Sequence, residues 1–501
     1  MDLDHDACYR AITLRDARFD GRFFTAVKTT GIYCRPICPA RTPRARNVAF
    51  YPTAAAAHAA GFRPCLRCRP ETAPDLGAWR GTSNTVSRGL ALIELGALDE
   101  GDLEALAERL GVGERQLRRL FRRHLGAAPL AVAQTRRILL ARQLIDETSL
   151  PMTEVALAAG FGSVRRFNEA FLAACGRAPS ALRRANRSDQ GAQAAPEGTV
   201  ELRLRYQPPY EWPAMLQFHA QRAIPGMECV ADGCYFRTFS LDGVKGTVSV
   251  RVADAHSLAV TVRVPRFSSL PAIIARVRRV FDLAADPLAI AAHLERDPML
   301  APLVTIRPGL RVPGAWEGFE LAVRAILGQQ LAVPAAVRLA GRLVAQYGER
   351  LQTSHGALTH LFPKPEAMAG ADLSSLGIPR TRALALSALA SAVAADPNFL
   401  GVHAALEPCI QRLRSLPGVG EWTAQYIALR QLREPDAFPA SDRGLMRAFA
   451  RRRSGAASVA ELEARAEYWR PWRAYAAQHL WASAGSAPFR EALDCAPTHT
   501  A

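Results

Sequence analysis

No apolar run in this chain approaches the ~18–20 residues that a membrane-spanning helix requires. Its first residues, MDLDHDACYR, lack the basic-then-apolar order of a secretory signal. No internal repeat of solenoid type stands out. Ten cysteines in 501 residues, without a signal segment, do not read as a disulfide framework. These absences exclude a membrane protein, a secreted disulfide scaffold and a repeat array. The expectation is a cytoplasmic protein of three or four domains with ample core.

Charge is what the chain has in excess. The formal net charge is +17, and the isoelectric point is near 10.0. Arginine supplies most of it, in the words RCRP, RQLRRLFRR, TRRILLAR and ARVRRVF. Such clusters suit phosphate neutralisation, and binding of that kind weakens steeply with salt. The competing explanation is a set of solvated arginine faces, so motifs must decide.

Composition changes along the chain divide it. Residues 1–75 hold four clustered cysteines and several prolines. From 85 to 185, leucine and alanine recur at three- and four-residue spacing, which predicts helices. The stretch 186–198 is small, polar and Pro/Gly-bearing, which is linker chemistry. ELRLRY, GTVSVRV and SLAVTVRV alternate with period two, so 199–285 is expected to form an antiparallel sheet with helices. Residues 286–490 read as a helical bundle, and the closing APTHTA as a frayed tail. The fold class is thus multidomain, mainly α with α+β parts.

GIYCRPICPAR and GFRPCLRCRP contain two cysteine pairs, Cys34 with Cys38 and Cys65 with Cys68. Four soft thiolates in paired spacing suit tetrahedral zinc and can fold a small domain with little core of its own. A structural clamp and a reactive centre are both compatible with that spacing. Cys8, Cys175, Cys229, Cys234, Cys409 and Cys495 are scattered, and most are expected to be small buried hydrophobes.

The words around the pairs, from DGRFFTAVKTTGIYCRP to GFRPCLRCRP, resemble the amino-terminal domain of the Ada adaptive-response proteins, which repair methylphosphotriesters. The resemblance spans residues 1–72. It implies that Cys34 is both a zinc ligand and the methyl acceptor, with Cys38, Cys65 and Cys68 as ligands only. A zinc-bound thiolate stays deprotonated and nucleophilic. Methylation removes a negative charge from a site facing phosphates, so affinity for DNA should rise.

DLEALAERLGVGERQLRRLF and MTEVALAAGFGSVRRFNEAF each read as two helices about a glycine-containing turn. In a helix-turn-helix the second helix enters the major groove. Here it would offer Arg115, Gln116, Arg118 and Arg119 in one unit, and Arg165, Arg166 and Asn168 in the other. Plain bundles also contain such helix pairs. The tandem followed by CGRAPSALRR resembles the AraC-type DNA-binding domain, which also follows the zinc module in Ada proteins.

RLRSLPGVGEWTAQYIALR has the form of a helix-hairpin-helix, whose glycines Gly418 and Gly420 let backbone N–H groups approach a phosphate. FPASDRGLMRAFARR and YWRPWRAYAAQHLWAS follow. Together they resemble the helix-hairpin-helix/GPD glycosylases, in which an aspartate follows the hairpin. With YQPPYEWPAMLQFHAQRAIPGME and FELAVRAILGQQ, the resemblance narrows to AlkA, the 3-methyladenine DNA glycosylase II, over residues 200–490. It implies that Asp442 is the catalytic carboxylate; the lesser alternative for an aspartate in an SD word is a helix N-cap. It also implies that Phe218, Trp422, Tyr426 and Trp481 wall the base pocket, because aromatic faces attract an electron-poor base.

Bifunctional relatives carry lysine where this chain has Trp422, so a monofunctional enzyme that leaves an abasic site is expected. The family inserts an apolar side chain into the gap left by the flipped base. Here the loop reads GQQLAVP, with Gln330 at the wedge position and Leu331 beside it. The resemblance further implies a monovalent cation held by the hairpin carbonyls of Arg414, Leu416 and Val419.

The expected partner is double-stranded DNA, both alkylated and promoter, and no membrane. No PCHR-type cysteine word occurs, so the guanine O-6 methyl acceptor domain of Ada proteins is missing, its place taken by the glycosylase. Two rival readings stay open at this point. One is a transcriptional regulator whose glycosylase-like half only binds DNA; the other is a zinc module that is purely structural.

Overall fold

The structure, a computed structural model, describes residues 4–74, 85–99, 101–187, 198–401, 406–453 and 457–485. Residue 75, most of the 186–198 linker, Cys495 and the end of the 286–490 segment lie outside the described residues. Among the described residues, no helix is long and apolar enough to cross a membrane.

The amino-terminal part is a four-stranded sheet with two helices. After α1 (His5–Leu14) come β1 (Phe24–Val27), β2 (Ile32–Cys34), β3 (Val48–Tyr51), α2 (Ala54–Ala59) and β4 (Arg63–Pro64). The strand order is β3-β1-β2-β4. β1 pairs antiparallel with β2 and β3, whereas β4 runs parallel to β2.

Seven helices follow: α3 (Thr85–Glu94), α4 (Leu103–Arg109), α5 (Glu114–Leu125), α6 (Pro129–Glu147), α7 (Met152–Ala158), α8 (Val164–Cys175) and α9 (Pro179–Arg187). Their ends are written in the sequence. The Asp102 side chain accepts from Ala105 N to cap α4, and Ser163 accepts from Arg166 N to cap α8. Gly126 (φ +73°) and Gly176 (φ +68°) stop α5 and α8 in the left-handed conformation that favours glycine. Helices α4–α5 and α7–α8 are the two expected helix pairs. Leu106, Leu117 and Phe121 are buried in the first, and Val155, Phe167 and Phe171 in the second.

The next part is a five-stranded antiparallel sheet of β5 (Thr199–Arg205), β6 (Glu228–Ala231), β7 (Cys234–Leu241), β8 (Val244–Asp254) and β9 (Ser257–Arg263), in the order β5-β9-β8-β7-β6. Helix α10 (Trp212–Ala220) lies between β5 and β6 in the chain, and α11 (Leu270–Val280) follows β9. Inward alternation buries Val200, Leu202 and Leu204 of β5, and these share one core with Phe167 and Phe171.

The remainder is helical: α12 (Pro287–Leu294), α13 (Ala301–Ile306), α14 (Gly318–Gly328), α15 (Val333–Tyr347), α16 (Pro365–Ala369), α17 (Arg380–Ala395), α18 (Leu406–Arg414), α19 (Glu421–Ile427), α20 (Arg443–Arg453), α21 (Val459–Ala466) and α22 (Arg473–Gly485). One element departs from the expected all-helical pattern. A hairpin of β10 (Arg350–His355) and β11 (Leu358–His360) interrupts it. It is anchored at long range, because Thr359 and His360 N–H groups donate to the Gly226 carbonyl and Thr238 donates to that of His360. Local periodicity carries no trace of such contacts.

Two polar clusters lock these parts together. β5 is an edge strand, and its outward N–H and C=O at Arg203 are taken by Glu147 (3.0 Å) and Gln143 (2.8 Å) of α6. The same helix sends buried Arg142 into the zinc module, donating to the Cys65 carbonyl at 2.9 Å and pairing with Glu71 at 3.3 Å. The second cluster joins sheet to bundle. Arg237 of β7 pairs with Glu320 of α14 at 2.7 Å and with Glu228 at 3.4 Å, while Arg324 reaches both Glu228 and Glu320. Burial works against ionised Glu228, but Arg324 and Arg237 outweigh it and hold its carboxyl at about 2.

Removing one cation from this quartet leaves two buried carboxylates to share the single guanidinium that remains. Arg237→Met is expected to destabilise the protein by about 3–5 kcal/mol in urea unfolding followed in the glycosylase half. A loss below ~1 kcal/mol would show that the quartet does not hold sheet to bundle.

Candidate functional sites

Strand register builds the thiolate site. Because Ile32 pairs with Arg63 and Tyr33 with Pro64, the next residues, Cys34 and Cys65, leave the strand ends side by side. The tight turns after each strand return Cys38 and Cys68. All four Sγ atoms lie within 4.8 Å of one another. Tetrahedral zinc with bonds of ~2.3 Å sets its sulfurs ~3.8 Å apart, so the donor set and its dimensions fit zinc. Cys65 and Cys68 are buried, whereas Cys34 and Cys38 are half-exposed.

Sequence reasoning missed the residue that braces this cluster. Arg35, next to Cys34, is buried, with its guanidinium on the Asp20 carboxylate, the Cys68 carbonyl (3.2 Å) and the Thr72 hydroxyl (2.7 Å). Its backbone N–H and that of Arg67 donate to the sulfurs of Cys68 and Cys65. Such outer contacts orient metal ligands.

The second site is assembled on one carboxylate. Asp442 precedes α20, and its Oδ1 accepts from the N–H groups of Gly444 (2.8 Å) and Leu445 (3.0 Å), which is an N-cap. It also does more than cap. Oδ1 accepts from the Trp481 indole and Oδ2 from the Trp422 indole, both at 2.8 Å. Gly444 permits this, because a Cβ there would lie 2.9 Å from Asp442 Oδ1 and 3.1 Å from Trp481 Cδ1.

Trp422 stacks on Tyr426 with ring centroids 5.4 Å apart at 18°. Phe218 joins the group through a cation. The Arg430 guanidinium stands 4.5 Å from the Phe218 ring, 4.9 Å from Tyr426 and 5.4 Å from Trp481. Burial pushes the Tyr426 phenol up, yet Arg430 and Arg222 outweigh it and bring it below its usual range. Arg430 and Arg222 were not anticipated; Arg430 lies within the quoted YIALR, hidden by the apolar residues around it. A cleft of about 1240 Å³ is lined by Arg451, Arg452, Phe449 and Tyr468 and by none of the expected pocket residues.

In the hairpin, Gly418 has φ +75° and packs so closely that a Cβ would meet that of Ala385 at 2.7 Å. Gly420 opens α19 with free space around it. The Leu416 carbonyl accepts from Val419 N–H inside the turn. The loop after α14 is tied to this hairpin by Gln329, which donates to the Gly418 carbonyl (2.9 Å) and Thr423 (3.0 Å). That tether exposes Gln330, in the left-handed conformation at φ +59°, and Leu331 beside it. On the two helix pairs, Arg118, Arg165 and Arg166 are exposed, with Arg118 on Glu114 (2.6 Å) and Arg165 on Glu169 (3.0 Å).

Comparison with known proteins accounts for each part. Residues 7–71 match the metal binding domain of Ada, 106–185 a helix-turn-helix domain, 201–317 the AlkA N-terminal domain, and 323–474 the HhH-GPD superfamily of base excision DNA repair proteins. The chain is 45% identical over 481 residues to the probable bifunctional transcriptional activator/DNA repair enzyme AlkA of Mycobacterium tuberculosis, covering 96% of this chain and 97% of that relative. It is 36% identical to DNA-3-methyladenine glycosylase 2 of Escherichia coli over 57% of this chain and 98% of that enzyme. A 3-methyladenine DNA glycosylase from Archaeoglobus fulgidus shares the fold, with a TM-score of 0.51 at 21% identity over 56% of this chain and 97% of that one. Fold and sites therefore define a zinc-binding regulator joined to a base-excision glycosylase. The chain belongs to the family of bifunctional transcriptional activator/DNA repair enzymes that fuse Ada-type and AlkA-type domains.

Elemental analysis is expected to find one zinc per chain, lost in Cys38→Ala together with the ordered structure of residues 7–71. Full metal content in that variant would contradict a four-thiolate site.

Proposed function

We propose that this protein repairs alkylation damage in two chemically separate ways and divides at the boundaries 1–75, 85–185, 186–198, 199–285 and 286–490. The first segment takes methyl groups from DNA methylphosphotriesters onto Cys34. Zinc held by Cys34, Cys38, Cys65 and Cys68 keeps the thiolates deprotonated at neutral pH. The Cys34 sulfur bonds to the methyl carbon as the carbon–oxygen bond breaks, and its electron pair remains on the phosphate oxygen. A triester becomes a diester and a thiolate becomes a thioether, so the acceptor is consumed. The lost negative charge favours promoter DNA, which exposed Arg118, Arg165 and Arg166 engage in the cytoplasm.

The carboxy-terminal segments act as a monofunctional glycosylase on bases such as 3-methyladenine. The target nucleotide leaves the stack, and a damaged base costs less to extract. Gln330 and Leu331 fill the gap, and Gly418 and Gly420 bring backbone N–H groups to the phosphate, with a monovalent cation bound at the hairpin. Phe218, Trp422, Tyr426 and Trp481 hold the base. Asp442 stabilises the positive sugar and positions the water that attacks it. Trp422 stands where a lyase would need an amine, so the product is an abasic site.

What supports this reading most is the pair of indole hydrogen bonds on Asp442, which joins the carboxylate to the aromatic walls that the reaction requires. Wild type is expected to release free 3-methyladenine from alkylated duplex DNA. Asp442→Asn should lose at least ~10²-fold of that rate while still accepting methyl groups, and Cys34→Ala should show the reverse. Undiminished release by Asp442→Asn, or methylation of another cysteine in Cys34→Ala, would overturn the respective assignment.

A further inference from the structure

The pocket walls enclose a cation of the protein's own. Trp422, Tyr426 and Arg430 are spaced four residues apart, and on an α-helix each such step drifts ~40° around the axis. The chain passes from α19 into a single π-helical turn, Ala428–Leu432. That wider turn advances less per residue and so offsets the drift, returning Arg430 to the face that carries the two rings; π-turns are frequent at functional sites.

Arg430 is 3% exposed. Its Nη1 donates to the Pro313 carbonyl at 2.8 Å, while its Nε is buried without a hydrogen-bond acceptor. Among the described residues it forms no ion pair. Elsewhere in this half the buried guanidinium of Arg237 is met by carboxylates. A buried cation held by three ring faces, the Tyr426 phenol and one carbonyl, with no carboxylate beside it and its Nε–H still unmatched, gains from a further acceptor.

We infer that Arg430 reads the extrahelical base, donating to an acceptor atom of a neutral damaged base and stabilising the electron pair that such a base carries away. This rests on the base-excision reading above. In the hydrolysis the bond from C1′ to the base nitrogen breaks with its electron pair leaving on the base. The oxygen of water bonds to C1′; the proton it loses ends on a base that departs as an anion, and passes to solvent when the base departs neutral. A cationic base such as 3-methyladenine becomes neutral as it departs and gains nothing from a second cation. A neutral base such as hypoxanthine becomes negative as it departs, and a guanidinium hydrogen bond is strongest to an acceptor of that kind. Arg430 therefore opposes docking of cationic bases and assists the departure of neutral ones, which makes it a specificity-determining residue.

The test is single-turnover excision of hypoxanthine and of 3-methyladenine from duplex DNA by the full chain, comparing wild type with Arg430→Met and Arg430→Gln. Each variant is scored by the ratio of its two rates within one preparation, so partial loss of folded protein cancels. The ratio of hypoxanthine to 3-methyladenine rates is expected to fall at least tenfold in Arg430→Met and by an intermediate amount in Arg430→Gln, which keeps a neutral donor. Ratios within twofold of wild type in both variants would overturn the inference and leave Arg430 as a prop for the aromatic walls. Failure of wild type to release either base would instead overturn the base-excision reading, and this inference with it.

Discussion

Three helices meet on the carboxylate of Asp442. Helix α20 contributes two backbone N–H groups, α22 the Trp481 indole and α19 the Trp422 indole. Each donor fixes an element of the aromatic site, so the carboxylate positions the rings around it. The helix N-terminus also favours negative charge there. Two other features of the glycosylase half serve this meeting point. The Gly444 position keeps Trp481 close, and the buried quartet of Glu228, Arg237, Glu320 and Arg324 holds the sheet, with Phe218 on α10, against the bundle.

The regulator half is not a loosely tethered companion. Helix α6 hydrogen-bonds the edge of β5 at one end and reaches the Cys65 carbonyl through Arg142. The second helix pair shares its apolar core with the glycosylase sheet. Gln207, just past β5, donates to the Ala17 carbonyl, and Arg22 pairs with Asp286 at 2.6 Å. The metal module, the DNA-reading helices and the sheet thus contact one another through buried polar groups as well as apolar ones. The thiolate cluster and the aromatic site are consequently parts of one packed body.

Much of this was legible in the residues. Paired cysteines, glycine-punctuated helix pairs and alternating strands announced the sheets and helices because those signals are local. Asp442 was legible by its place after the hairpin, and its two possible roles, cap and carboxylate at the aromatic walls, coexist. The short hairpin at 350–360 was not legible, since its anchors, Gly226 and Thr238, are distant in sequence. Nor was Arg430, because its place among the aromatic rings depends on a π-turn that no periodicity signals. Gln329 was overlooked beside Gln330 for a similar reason: its role is a tether to Gly418, which only the folded chain brings near.

The central claim is that Asp442 stabilises positive charge on the sugar. Affinity for two abasic-site analogues in duplex DNA measures it most directly, one with a cationic pyrrolidine in place of the sugar and one with an uncharged tetrahydrofuran. Wild type should prefer the pyrrolidine by at least ~10²-fold, and Asp442→Asn should lose most of that preference. Equal affinity for the two analogues in wild type, or an undiminished preference in Asp442→Asn, would contradict the claim.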